Sequence, residues 1–112
     1  MKFYGLKTCD TCRKAQKELR ATGLEFEVVD VRADGVSAEK LGEWTSKIDW
    51  KKLLNTRSTT WRSLDASDKD DVDAAKAIIL MAANPTLIKR PVIEMDGDVL
   101  VGWTADVKAE LI

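Results

Sequence analysis

A chain of 112 residues, 45% hydrophobic and 33% charged, has the length and balance of one globular domain with its own core. Its net charge of −1 gives no electrostatic reason to expect a nucleic-acid backbone as partner, so no direct nucleic-acid contact is expected. No apolar run approaches the ~18 residues that span a bilayer, and MKFYGLKTCD lacks the apolar stretch of a secretory leader. The expected address is therefore cytoplasmic, with no membrane partner.

KFYGL, residues 2–6, reads as a first strand. A helix is expected from Asp10 to Thr22, because Cys12, Ala15 and Leu19 recur on one face. Gly23 then supplies the left-handed residue that helix ends favour. EFEVVDV, Glu25 to Val31, is rich in β-branched residues and reads as a second strand. Strand, helix and strand within about thirty residues make a right-handed βαβ unit with parallel strands.

Ser37 is placed to cap the next helix, with Val36 and Leu41 as a hydrophobic staple and Leu41, Trp44 and Ile48 on its buried face. DWKKLLNTRSTTWRSLD reads as a short helix near Trp50 to Leu54, followed by an irregular stretch that includes Arg57. From Ser67 a further helix is expected. Asp68, Asp70, Asp71 and Asp73 fall in its first turns, where the macrodipole favours negative charge. Val72, Ala75 and Ile79 form its inward stripe, and Asn84-Pro85 ends it. PVIEM and DVLVG read as two strands joined by Asp96-Gly97, a strong two-residue hairpin signal. Thr104 can cap a closing helix, ADVKAELI. The order β-α-β, a helical middle, then β-β-α fits an α/β thioredoxin-like fold: a mixed four-stranded sheet with a helical insertion. With no linker and no repeat, residues 1–112 are expected to form a single domain.

The chemistry concentrates in TCDTCRK, residues 8–14, which holds both cysteines of the chain. Cys9 falls at the strand-to-helix junction, where unpaired N–H groups and partial positive charge stabilise a thiolate. Lys7, Arg13 and Lys14 add positive charge, and Thr8 and Thr11 carry hydroxyl donors. These are the surroundings of a nucleophile. Cys12, one turn later, is placed to attack a mixed disulfide on Cys9 and resolve it. Two other readings apply. A zinc site needs four ligands, and with no histidine in the chain only carboxylates could complete one, so no metal site is expected. Cys12 also suits a small core residue on the apolar helix face. Elsewhere, Trp44 is expected in the core, and Trp61 either walls a site or packs. Trp103 either stacks on a ligand or closes the hairpin end. Arg32 and Arg62 are expected at the surface, and the aspartates after Ser67 form a solvated helix start.

FYGLKTCDTCRKAQKEL, LLNTRSTTWRSLD and LIKRPVIE together resemble the arsenate-reductase family, in particular its YffB/Spx-like branch, and the resemblance runs over essentially the whole chain. It implies a thioredoxin-like fold and Cys9 as the thiol nucleophile. It also implies Arg57 and Arg90 as anion-holding arginines, and a cis peptide at Pro91 facing Cys9. Thr11, Arg13 and Pro91 are then the substrate-binding residues. No cofactor is implied, but glutathione is implied as thiol co-substrate, with glutaredoxin as a candidate partner. Two alternatives come with the same family: an Spx-like redox regulator that binds the RNA polymerase α subunit, and a glutathione- and glutaredoxin-dependent arsenate reductase. The chain departs from arsenate reductases at Asp10, which replaces a glycine beside the thiol. It departs again near Trp103, where the family has a further arginine. Both changes imply weaker oxyanion binding and favour a thiol–disulfide oxidoreductase.

Overall fold

The structure, a computed structural model, describes all of residues 1–112. In chain order its elements are β1 (Lys2–Gly5), α1 (Asp10–Ala21), β2 (Glu27–Asp30), α2 (Val31–Asp34), α3 (Ala38–Lys47), α4 (Trp50–Leu53), α5 (Thr59–Ser63), α6 (Ala66–Lys69), α7 (Ala74–Ala83), a 3-10 turn (Pro85–Leu87), β3 (Val92–Met95), β4 (Asp98–Val101) and α8 (Ala105–Leu111). They divide into two compact units. The first comprises Met1–Asp34 and Arg90–Ile112, and the second Gly35–Lys89. No helix is long and apolar enough to cross a membrane.

The first unit carries the whole sheet, in the order β2-β1-β3-β4. β1 pairs in parallel with β2, Gly5 opposite Asp30, and antiparallel with β3, Phe3 opposite Ile93. β3 and β4 form the expected hairpin, with Met95 opposite Asp98. Asp96 and Gly97 both have positive φ, +50° and +82°, the backbone of a two-residue turn whose twist matches its strands. Phe3 and Ile93 lie side by side on one face, buried with Cys12, Ala15 and Leu19 of α1 and Val107 of α8. Each large side chain buried here contributes roughly 1.5–3 kcal/mol. That is why the stripe read from α1's sequence faces the sheet. The second strand is shorter than expected. It stops at Asp30, whose carboxylate accepts the backbone N–H groups of Arg32 (2.9 Å) and Ala33 (3.0 Å) and so turns the chain into α2.

The second unit is helical. Ser37 caps α3 as expected, its hydroxyl accepting the Lys40 N–H at 3.1 Å, and Leu41 and Trp44 are fully buried. Ile48 stands at the C-cap and is half-buried. Asp49 caps α4 through the Lys51 N–H. Two expectations need correction. The stretch after Leu54 is not wholly irregular: Ser58 accepts the Trp61 N–H at 3.1 Å and starts α5 just after Arg57. The helix expected from Ser67 is two helices. Asp71 takes a positive φ of 48°, and α7 begins only at Ala74, with Asp73 as its N-cap accepting the Lys76 N–H at 2.8 Å. Lys76 Nζ closes the break by donating to the Ser67 carbonyl at 2.8 Å and also to that of Asp70. The inward face is Ala77, Leu80 and Met81, while Ala75 and Ile79 are exposed. AAKAIILMAA is apolar almost all round, so its periodicity carries no phase, and packing against α3 selects the side that turns inward.

Candidate functional site

β1 ends at Gly5, and the chain reverses within four residues: the Cys9 N–H donates to the Leu6 carbonyl at 3.2 Å. The turn delivers Cys9 in an extended conformation (φ −86°, ψ 116°) as the N-cap of α1, and its carbonyl accepts the Arg13 N–H at 3.0 Å. Cys9 is half-buried and Cys12 fully buried, and both are free thiols.

The two sulfurs have opposite electrostatics. For Cys9, partial burial opposes ionisation and is the largest single influence. The Cys12 backbone N–H, the Cys12 thiol and the hydrogen bond and charge of Arg90 together outweigh it, and they hold the Cys9 thiol below its ordinary value. Sγ accepts no cap hydrogen bond of regular geometry. The Cys12 N–H favours the thiolate by proximity, as a helix N-terminus does. For Cys12, burial dominates and the neighbouring Cys9 sulfur adds to it. The Leu6 N–H and Arg90 pull the other way but do not prevail, and the thiol is pushed up to about 12.

Gly5 makes room for this arrangement. A Cβ at position 5 would lie 2.9 Å from Cys12 Sγ, 3.0 Å from Phe3 Cε1 and 3.2 Å from Cys12 Cβ. Sequence reasoning read Gly5 only as part of a strand. A glycine inside a strand is itself the signal, since it often marks close backbone approach.

Of the residues expected at the site, Cys9, Cys12 and Arg90 come together, and the Arg90-Pro91 peptide bond is cis. Pro91 is fully buried, and its carbonyl accepts the Gly102 N–H at 2.8 Å. Thr11 is exposed on the first turn of α1. Arg13 is turned to the loop, with Nε donating to the Lys7 carbonyl at 2.9 Å and Nη1 3.6 Å from Asp10. That exposed ion pair contributes little energy. Arg13 also lines a cavity of about 550 Å³ with Lys7, Arg20, Val28 and Asp30, and Cys9 does not line it. Arg57 belongs to the second unit, where it is exposed; its N–H donates to Asn55 Oδ1 at 3.0 Å and its carbonyl accepts from Arg62. Trp103 closes the hairpin end. Its indole N–H donates to Glu18, and Lys108 sits 5.6 Å from the ring centroid and 3.5 Å from the same carboxylate. No group of three His, Cys, Asp or Glu side chains lies close enough to hold a metal ion.

Comparisons with known proteins identify the family and the fold. Residues 4–111 match the ArsC family. A solved structure described as a YFFB protein superposes with a TM-score of 0.93 at 42% identity, covering 98% of this chain and 96% of that one. An uncharacterised protein of Haemophilus influenzae is 44% identical over 89% of this chain and 88% of its own length. The global transcriptional regulator Spx of Streptococcus mutans is 27% identical over 88% of this chain and 73% of its own length.

Proposed function

We propose, from the premise that this chain belongs to the ArsC family, that it is a cytoplasmic thiol–disulfide oxidoreductase acting on glutathione mixed disulfides. One observation carries the reading. Cys9 is an accessible thiol at a helix start, and its ionisation is favoured by the Cys12 N–H and by Arg90 despite partial burial. Only the thiolate attacks a disulfide, so a lowered thiol value raises the reactive fraction at neutral pH. In the first step the Cys9 thiolate attacks the glutathione sulfur of R–S–S–G. A Cys9–glutathione disulfide forms, and RS⁻ leaves and takes a proton from solvent. In the second step a resolving thiolate attacks that disulfide and returns Cys9 as thiolate. With glutathione as the resolving thiol, the sum is one mixed disulfide and one glutathione giving RSH and oxidised glutathione. Arg90 lies beside the nucleophile as a fixed cation suited to a carboxylate of the peptide.

The test is turnover of a glutathione mixed disulfide by wild type and Cys9→Ser. Activity is expected to vanish in the variant, and retention of it would end the proposal. The similarity to Spx supports a second reading, a redox regulator that binds the RNA polymerase α subunit. Capture by that subunit under oxidising but not reducing conditions, in a protein without turnover, would favour it. Arsenate reduction ranks behind both. Trp103 is committed to Glu18 where the family has an arginine, and Asp10 puts a carboxylate next to the thiol.

A further inference from the structure

We propose that Cys12 is not the resolving thiol of this site but a buried hydrogen-bond donor that positions and holds the Cys9 thiolate, so that an external thiol completes the cycle. The inference rests on the thiol-reductase reading above and names the role of its second cysteine. Three features of the structure support it.

The first is place. Cys12 has no exposed surface, and it lies among Phe3, Ala15, Leu19, Ile93 and Val107. The second is contact. The sulfur sits so near the strand that the absence of a side chain at Gly5 is what admits it: a Cβ there would come within 2.9 Å of Sγ. The third is chemistry. A thiol one helical turn from Cys9 can act in two ways. As a thiolate it attacks, and as a neutral S–H it donates. Burial keeps Cys12 in the second form. With the thiol pushed up to about 12, the thiolate fraction at pH 7 is on the order of 10⁻⁵. Part of that elevation comes from the Cys9 charge and would disappear once Cys9 is in a mixed disulfide. Burial, the largest part, would remain. An external glutathione thiol, near the ordinary ~8.5, carries a few per cent thiolate at the same pH.

The reaction then balances without an internal disulfide. Cys9–S⁻ displaces RS⁻ from R–S–S–G, with Cys12 keeping its proton throughout. A glutathione thiolate from solution attacks the Cys9-bound glutathione, giving oxidised glutathione and Cys9–S⁻, which again faces the Cys12 S–H.

The experiment compares Cys12→Ser, Cys12→Ala and wild type in two readouts: the pH dependence of Cys9 alkylation, and turnover of a glutathione mixed disulfide with glutathione present. Serine can donate a hydrogen bond but cannot resolve a disulfide; alanine can do neither. A donor predicts that Cys12→Ser keeps the low alkylation inflection while Cys12→Ala moves it up by roughly one to two pH units. Turnover at pH 7 then falls further in the alanine variant than in the serine variant, and the gap closes as pH rises. Equal, near-complete loss of turnover in both variants would identify a resolver and overturn the proposal. An unchanged inflection in both would identify a plain core residue and overturn it equally. Thermal melts of the variants separate these effects from loss of folding. A further measurement needs no variant: the mass of wild type after one equivalent of oxidised glutathione. A persistent glutathione adduct on Cys9 is expected, and rapid conversion to a Cys9–Cys12 disulfide would refute the donor role. If wild type turns over no glutathione disulfide at all, the functional reading fails. The alkylation profiles still decide whether Cys12 acts as donor.

Discussion

Gly5→Ala tests the packing on which the thiol pair depends. The added methyl would lie 2.9 Å from Cys12 Sγ and 3.0 Å from Phe3 Cε1. Neither neighbour is the free end of a flexible side chain, since both residues are fully buried. Forcing a methyl into such a space costs about 1–3 kcal/mol. The lower backbone entropy of alanine in a strand returns about 0.5–1 kcal/mol. A net loss of about 1–2 kcal/mol is expected, a fall in Tm of roughly 4–10 °C for a chain of this size. Thermal and denaturant unfolding measure it. The double variant Gly5→Ala/Cys12→Ala supplies the internal control. Removing Sγ should recover about 1 kcal/mol of the clash, so the two substitutions should be non-additive by that amount. A Gly5→Ala protein as stable as wild type, or strict additivity in the double variant, would refute the reasoning and with it the tight seating of Cys12.

Three other predictions concern charge and capping. Arg90→Gln removes a hydrogen bond and a positive charge from Cys9, so the alkylation inflection should rise and the rate at pH 7 fall; an unmoved inflection would show that Arg90 does not stabilise the thiolate. Cys12 is raised in the folded chain, so between its ordinary 9.0 and about 12 the unfolded chain loses this proton while the folded chain keeps it. Stability should therefore be unaffected by this group below pH 9 and fall as pH rises above it, and in Cys12→Ala denaturant midpoints over that range should fall less steeply. Asp73→Ala removes the cap of α7 and should cost about 1 kcal/mol, measured by denaturant unfolding.

Much of the site was legible because it is local. A helix begins where a strand ends, and a cysteine at that junction meets unpaired N–H groups whatever the rest of the chain does. Cys9 as N-cap of α1, the Cys12–Ala15–Leu19 face, the Asp96-Gly97 turn and the caps at Ser37 and Thr104 all appear where spacing and residue type put them. The resemblance of KRP to the arsenate-reductase family led to the cis bond before Pro91, which spacing alone does not encode. The aspartates after Ser67 misled because several adjacent residues could all serve as caps. The competition was settled by Lys76, which ties the end of α6 to α7 from positions that no local pattern reveals.

The sequence by itself determined the succession of elements, the polarity of the first βαβ unit, the hairpin and the cysteine at the helix start, because hydrogen-bond closure and side-chain periodicity act over a few residues. Tertiary structure alone decided what surrounds the second cysteine. Cys12 lies eighty residues before the start of β3 at Val92, yet its environment is made by Phe3, Ile93 and Val107 closing over it and by Gly5 giving way. It also decided that Arg90 reaches Cys9 while Arg13, four residues along the same helix, is held by the Lys7 carbonyl. A thiol's proton affinity depends on how much water remains around it and which charges stand opposite. Both are properties of packed neighbours that a motif of four residues does not contain.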